Sequence, residues 1–271
     1  MTAVIAALAV PFAACSDDGS DSGESITDGG LPDTGSPKTG DTAEPFTILV
    51  SNDDGVGAEG IDLLVEGLRR LPAEVIVYAP ATNQTGAGNR TSPGPVAQSD
   101  RETRSGFPAI AVEGTPADSV NVALDTGIVP DLVVTGVNEG ANLGPLAIDV
   151  SGTVGAARAA ANRGFTALAV SQGLGEPIDY ESGVDEAVRW VRDDRDELAD
   201  GDAPVALLSL NVPTCTSGEV KGVVEAPLAT AVPPEALGPV DCSAGSNATA
   251  DDVEALLNGY AALSELPLGS R

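Results

Sequence analysis

The sequence predicts an α/β fold, a Rossmann-like three-layer sandwich with a mostly parallel sheet, plus an irregular carboxyl-terminal extension. Three observations point there. Beyond residue 45, short apolar runs alternate with segments whose apolar residues recur at helical spacing. Polar, glycine-rich loops follow several of the apolar runs. Aromatic residues make up only 3% of the chain, so the core must come mainly from Val, Ala, Leu and Ile.

The elements follow in order. Phe46–Ser51 is a strand that ends abruptly in Asn52-Asp53-Asp54-Gly55. Residues Gly57–Leu71 carry Ile61, Leu64, Val65 and Leu68 on one helical face. Glu74–Ala79 is a second strand, stopped by Pro80. A polar loop runs from Ala81 to about Gly94, and a weakly patterned stretch continues to Phe107. Ala109–Val112 is strand-like, and Pro116–Leu124 is a short helix with proline near its start. Asp131–Thr135 is the third clear strand, followed by the Gly/Asn-rich loop Gly136–Val150. Gly152–Arg163 is an Ala-rich helix, Ala167–Ser171 a strand, Tyr180–Leu198 a charged amphipathic helix and Val205–Asn211 a strand. Strands separated by helices imply a parallel sheet with right-handed crossovers. Pro213–Ser246 is irregular, Asp251–Leu257 is helical, and Tyr260–Leu266 is a final strand.

The first 44 residues have a different character. Met1–Ala14 is apolar and ends in small residues before Cys15, the pattern of a secretory signal and lipobox over 1–15. Residues 16–44 are rich in Gly, Ser, Asp, Thr and Pro and cannot bury enough surface to offset their chain entropy. They are expected to form a disordered acidic tether to a single folded domain at 45–271. The implied location is the cell envelope, outside the cytoplasmic membrane, with lipid on Cys15 as the sole membrane attachment. The tether's eight acids and one lysine leave about −21 of the total −28 on the domain. So acidic a domain is a poor partner for a nucleic-acid polymer, whose phosphates need Lys and Arg. Cys215 and Cys242 either remain free thiols or pair across about 26 residues, a closure worth roughly 3 kcal/mol in the chain-entropy model. Export favours pairing.

Three polar loops after apolar strands can meet at one sheet edge, where open α/β sheets bind ligands. The first brings Asp53 and Asp54, adjacent carboxylates that need a positive partner. The second, Asn83–Asn89, brings the Thr85 hydroxyl, and the third, Gly136–Gly144, brings amide oxygens. Carboxylate, hydroxyl and amide oxygen suit Mg²⁺, Mn²⁺ or Ca²⁺. Ser151-Gly152-Thr153 opens the Ala-rich helix and serves either as an ordinary cap or as a phosphate cradle. The chain contains no histidine, which excludes His-based metal sites and a Ser-His-Asp triad. No Walker-type phosphate loop is present, and the paired aspartates lack the one-residue gap of haloacid-dehalogenase nucleophiles.

Five segments, in order, resemble the SurE family of metal-dependent nucleoside monophosphate phosphatases (5′/3′-nucleotidases). They are Ile48–Gly55, Ala79-Pro80 with Asn83–Gly86, Gly114–Asp118, Gly136–Gly144, and Ser151–Ala157. Val253–Leu256 with Gly259-Tyr260 is similar to the family's last helix and strand. The resemblance implies metal ligation by Asp53, Asp54, Thr85 (where the family usually has serine) and Asn138. It implies phosphate binding by Asn142, Ser151, Gly152 and Thr153, with Mg²⁺ or Mn²⁺ as cofactor. Asp53 or Asp54 would take the proton of a metal-activated water. Thr115 and Asp118 cap a helix or order the loop beneath the site. The implied activity is hydrolysis of nucleoside 5′- and 3′-monophosphates. Its alternatives are a broad acid phosphatase or short-chain polyphosphatase, and a non-catalytic solute-binding lipoprotein. Between Val212-Pro213 and the last helix the chain is shorter than usual for the family, which leaves base preference and a homodimeric state open.

Overall fold

Residue 46 begins a strand that becomes the spine of a nine-stranded sheet in the computed structural model, which describes residues 45–200 and 204–268. The expected signal sequence, lipobox and tether lie outside the described residues.

The chain runs β1 (Phe46–Ser51), α1 (Glu59–Leu68), β2 (Ala73–Pro80), β3 (Gln98–Glu102), β4 (Pro108–Val112), α2 (Pro116–Asp125) and β5 (Leu132–Glu139). It continues through α3 (Gly144–Asp149), α4 (Gly152–Ala161), β6 (Ala167–Gln172), α5 (Tyr180–Ala199) and β7 (Leu207–Val212). The extension holds β8 (Cys215–Ser217), β9 (Val223–Glu225), a 3₁₀ turn at Pro234–Leu237, β10 (Val240–Asp241), α6 (Asp252–Leu257) and β11 (Ala261–Glu265).

The sheet order is β3-β4-β2-β1-β5-β6-β7-β11-β9. The six strands from β4 to β7 pair in parallel, whereas β3 and β11 pair antiparallel with β4 and β7. Period-two side-chain alternation splits the sheet between two cores. Ile48, Val50, Val134 and Leu168 pack with Ile61 and Leu64 of α1 and Val184 and Val191 of α5. Leu49, Val133 and Ala169 face the other way, against Val120 of α2 and Val154 and Ala157 of α4. These are the three expected layers.

Several details depart from the sequence reading. β3 lies within the weakly patterned stretch; its mostly exposed Gln98–Glu102 run has no apolar alternation to reveal it. β5 continues to Glu139 across a register shift between Thr135 and Asn138, in place of a loop starting at Gly136. α3 also sits inside the expected loop. Cys215 and Cys242 form a disulfide that fastens β8 to the chain just after β10.

β1 pairs with β2 on one side and β5 on the other, and the chain reaches the first through α1 and the second only after α2. This is the topological switch point, where the carboxyl ends of neighbouring strands leave a crevice.

Candidate metal and phosphate site

Beyond β1 the chain turns at once, and Asn52 holds the turn from inside. Its amide nitrogen donates to the Gly55 carbonyl at 2.9 Å, and its amide oxygen accepts the Gly55 N–H at 3.2 Å. The turn places Asp53 and Asp54 in the crevice.

Asp53 is buried against the amino terminus of α4. Thr153 Oγ1 donates to its Oδ1 at 2.6 Å. A Cβ on Gly152 would lie 2.7 Å from Asp53 Cβ and Oδ2, so glycine is needed for the helix to approach this closely. Burial raises the Asp53 carboxyl above the usual carboxylate range; the Thr153 hydroxyl and the backbone of Thr153 and Gly152 oppose the rise. Ser151 caps the helix, its Oγ accepting the Val154 N–H at 3.1 Å.

Asp54 is more open. Asn83 Nδ2 donates to its Oδ1 at 3.2 Å, and the Glu139 N–H reaches its Oδ2 at 3.4 Å. Burial, then the neighbouring Asp53 charge, push its carboxyl up to about 6. Among the described residues no Lys or Arg forms an ion pair with either aspartate.

The second loop docks on this turn, where the Asp53 carbonyl accepts the Gln84 N–H at 2.7 Å. Asn83 braces it by accepting the Thr85 N–H at 2.8 Å. Thr85 is exposed, and its hydroxyl has no hydrogen bond among the described residues. Farther along, Gly155 passes so close to Gly88 that a Cβ would stand 2.1 Å from the Gly88 carbonyl oxygen. The loop is thus wedged between the β1 turn and α4. Thr115 and Asp118 form a reciprocal capping box at the start of α2, as the cap reading expects. They also tie the loop's far end: Thr115 Oγ1 donates to the Arg90 carbonyl at 2.6 Å, and Ser92 Oγ donates to Asp118 at 2.7 Å.

Asn138 closes the crevice from β5. Its amide nitrogen donates to the Gly140 carbonyl at 2.7 Å and the Glu139 carbonyl at 3.2 Å. The amide oxygen accepts no hydrogen bond among the described residues and remains available as a hard donor. Asn142 is held as a strut: its N–H donates to Asn211 Oδ1 at 2.7 Å and its side-chain nitrogen to Ser171 Oγ at 2.8 Å. The buried Asp252 carboxylate accepts the Gly144 N–H at 2.7 Å.

Asp53, Asp54, Asn138, Ser151, Gly152 and Thr153 therefore converge on one crevice, with Thr85 on a loop docked to it. Asn142 is engaged one layer farther back. The sequence reading passed over Asn52, Asn83, Asn211 and Asp252 as supports. Asn83 lies two residues before Thr85 and Asn52 directly precedes the aspartates, so those two carry a local signal. The other two come from distant parts of the chain and had none. Two raised carboxylates without a cationic partner, beside free hydroxyl and amide oxygens, fit a hard divalent cation.

Residues 48–232 match the family model described as Survival protein SurE. The chain belongs to the SurE family. A Halobacterium salinarum protein named 5′-nucleotidase SurE is 46% identical over 162 residues, covering 56% of this chain and 60% of that protein. A protein of the same name from Paramagnetospirillum magneticum is 38% identical over 180 residues, or 65% and 67% of the two chains. The chain thus spans 60% of the length of the Halobacterium SurE relative. The crystal structure of a SurE protein from Aquifex aeolicus superposes with a TM-score of 0.63 at 29% identity, covering 83% of this chain and 94% of that one.

Proposed function

We propose that this chain is a phosphomonoesterase, dependent on Mg²⁺ or Mn²⁺, that converts nucleoside 5′- and 3′-monophosphates to nucleoside and phosphate. The observation that carries the proposal is the Asp53–Asp54 pair, set without a counter-charge against the amino terminus of α4. The relatives named 5′-nucleotidase SurE support the 5′-monophosphate part of this activity.

Asp53, Asp54, the Thr85 hydroxyl and the Asn138 amide oxygen would hold the cation. A bound divalent ion lowers the pKa of water and offsets charge on a phosphoryl oxygen. The protein supplies the rest. Ser151 Oγ already accepts the Val154 N–H, so its own hydrogen is free to point at a phosphate oxygen. The amino terminus of α4 adds partial positive charge. Thr153 gives its hydrogen to Asp53, which favours a role in aiming that carboxylate over direct phosphate binding. Asp54, the more exposed of the pair, is the better placed to take a proton from the attacking water.

We further propose that the enzyme works outside the cytoplasmic membrane, tethered through lipid on Cys15. The apolar run before Cys15 and the Cys215–Cys242 disulfide both support an oxidising compartment. No helix among the described residues is long and apolar enough to cross a membrane. The decisive assay is phosphate release from AMP, GMP, 3′-AMP and an aryl phosphate, with EDTA and then Mg²⁺ or Mn²⁺ restored. Metal-dependent release is expected; none from any substrate would favour a solute-binding protein.

A further inference from the structure

A groove of about 590 Å³ opens beside the aspartate pair. Leu174, Pro177, Ile178, Tyr180 and Pro239 line it, together with Glu59, Glu139 and Glu176. It adjoins the metal crevice through two contacts. The backbone of Glu139 touches Asp54. Leu174, 42% exposed, lies over Gly140, whose carbonyl anchors Asn138; a Cβ there would meet Leu174 Cδ2 at 3.6 Å. Tyr180 senses the same charges: burial, then Glu139, Asp54 and Glu59, push its hydroxyl up to about 12.

The groove is apolar on its walls and negative at its rim. Arg104 offsets Glu59 through an ion pair at 3.0 Å. Glu139 and Glu176 have no such partner among the described residues and are exposed. Because it adjoins Asp54 through Glu139, the groove is placed to receive the remainder of a substrate whose phosphate lies in the crevice. An uncharged nucleoside can lie on the aliphatic and tyrosine surfaces and give hydroxyl or amino hydrogens to the carboxylates. A second or third phosphate would bring negative charge against Glu139 and Glu176 within a Debye length, where repulsion is only partly screened.

We propose that Glu139 and Glu176 make this groove a charge filter, selecting monoesters with an uncharged alcohol and rejecting phosphate chains. The proposal rests on the phosphatase reading above and chooses among its substrates, against a short-chain polyphosphatase. It assigns the two glutamates to specificity, separate from the groups that would hold metal and phosphate.

The test compares kcat/KM for AMP and for inorganic tripolyphosphate in the full chain with Mg²⁺, for the unaltered protein and for Glu139→Gln/Glu176→Gln. The unaltered protein should prefer AMP by at least about 100-fold at low salt. The double variant should narrow that ratio by about tenfold, chiefly through a lower KM for tripolyphosphate. Raising salt should narrow the ratio in the unaltered protein and less in the variant. Equal use of the two substrates by the unaltered protein would overturn the filter, and so would an unchanged ratio in the variant. In both cases phosphate release from AMP would leave the phosphatase reading standing. Release from neither substrate would overturn both.

Discussion

The Thr153 hydroxyl, on the first turn of α4, donates a 2.6 Å hydrogen bond to Oδ1 of Asp53, one hundred residues earlier in the chain. The bond joins the turn after β1 to the helix that would face the phosphate. It stabilises the charged form of a buried carboxylate. Thr153→Val keeps the shape and removes the donor, leaving a buried acceptor short of a partner. The expected cost is about 1–3 kcal/mol of stability and a roughly 10–100-fold loss in metal affinity, the usual effect of losing a ligand's supporting contact. Chemical denaturation and calorimetric Mn²⁺ titration measure the two. Unchanged metal affinity would mean that Thr153 does not position Asp53.

Gly152→Ala tests the same junction by steric means. The added methyl would stand 2.7 Å from Asp53 Cβ and Oδ2, and neither the helix backbone nor the buried Asp53 can yield cheaply. Overpacking of this kind costs about 1–3 kcal/mol. Phosphate release should fall by about 100-fold or more, since a 1 Å displacement is enough for that in catalytic geometry. Alanine at Gly238, where a Cβ would meet nothing within 4 Å, is the control and should leave activity intact.

Asp54 sets a pH dependence whose sign is opposite to that of most carboxylates. Its folded-state carboxyl holds a proton up to about pH 6, against 3.8 for an ordinary aspartate. Between those values the folded state binds more protons, so metal-free stability falls as pH rises through that window. Asp54→Asn removes the penalty. In EDTA the variant should melt higher than the unaltered protein at pH 7 and at the same temperature near pH 4. It should also lose metal-dependent phosphate release. A lower melting temperature at pH 7 would show that burial and the Asp53 charge do not penalise the Asp54 carboxylate.

The disulfide is the main covalent constraint on an otherwise irregular extension. Cys215 and Cys242 are 27 positions apart, a closure worth roughly 3 kcal/mol in the chain-entropy model. Cys215→Ser/Cys242→Ser should lose about that much by urea denaturation, and dithiothreitol should bring the unaltered protein to the same value. Insensitivity to reductant would mean that the bond is absent from the protein in solution.

The main elements were legible because each carries a strong local signal. β1 centres on the apolar run Ile48-Leu49-Val50, and α1 repeats Ile61, Leu64, Val65 and Leu68 at helical spacing. The candidate site's segments were legible for a related reason: Asp53-Asp54 and Ser151-Gly152-Thr153 each lie within one short segment at an element's end. β3 was not, since an exposed edge strand needs no alternation and its Gln98–Glu102 run shows none. The end of β5 was hidden by Gly136, which reads as a loop residue; there a Cβ would stand 2.3 Å from the Val170 carbonyl, so glycine serves close strand packing. Asn211 clamps Asn142 from 69 residues away, and no local pattern records a partner at that separation.

Asp252 is the plainest case of a residue whose role emerges only on folding, and it carries the last prediction. It is fully buried at the start of α6, where Oδ2 accepts the Gly144 N–H and Oδ1 accepts those of Ala229 and Val253, at 2.7, 2.7 and 2.9 Å. One carboxylate thereby joins the third site loop, the extension and the last helix. Asp252→Ala leaves the buried Gly144 and Ala229 N–H groups without that acceptor, at about 1–3 kcal/mol each. The melting temperature should drop by roughly 4–24 °C, at about 2–4 °C per kcal/mol for a domain of this size. Because Gly144 ends the segment that follows Asn138 of β5 and carries Asn142, kcat for AMP should fall even at temperatures where the variant stays folded. Full kcat in a destabilised variant would confine Asp252 to holding the extension and free the loop from depending on it.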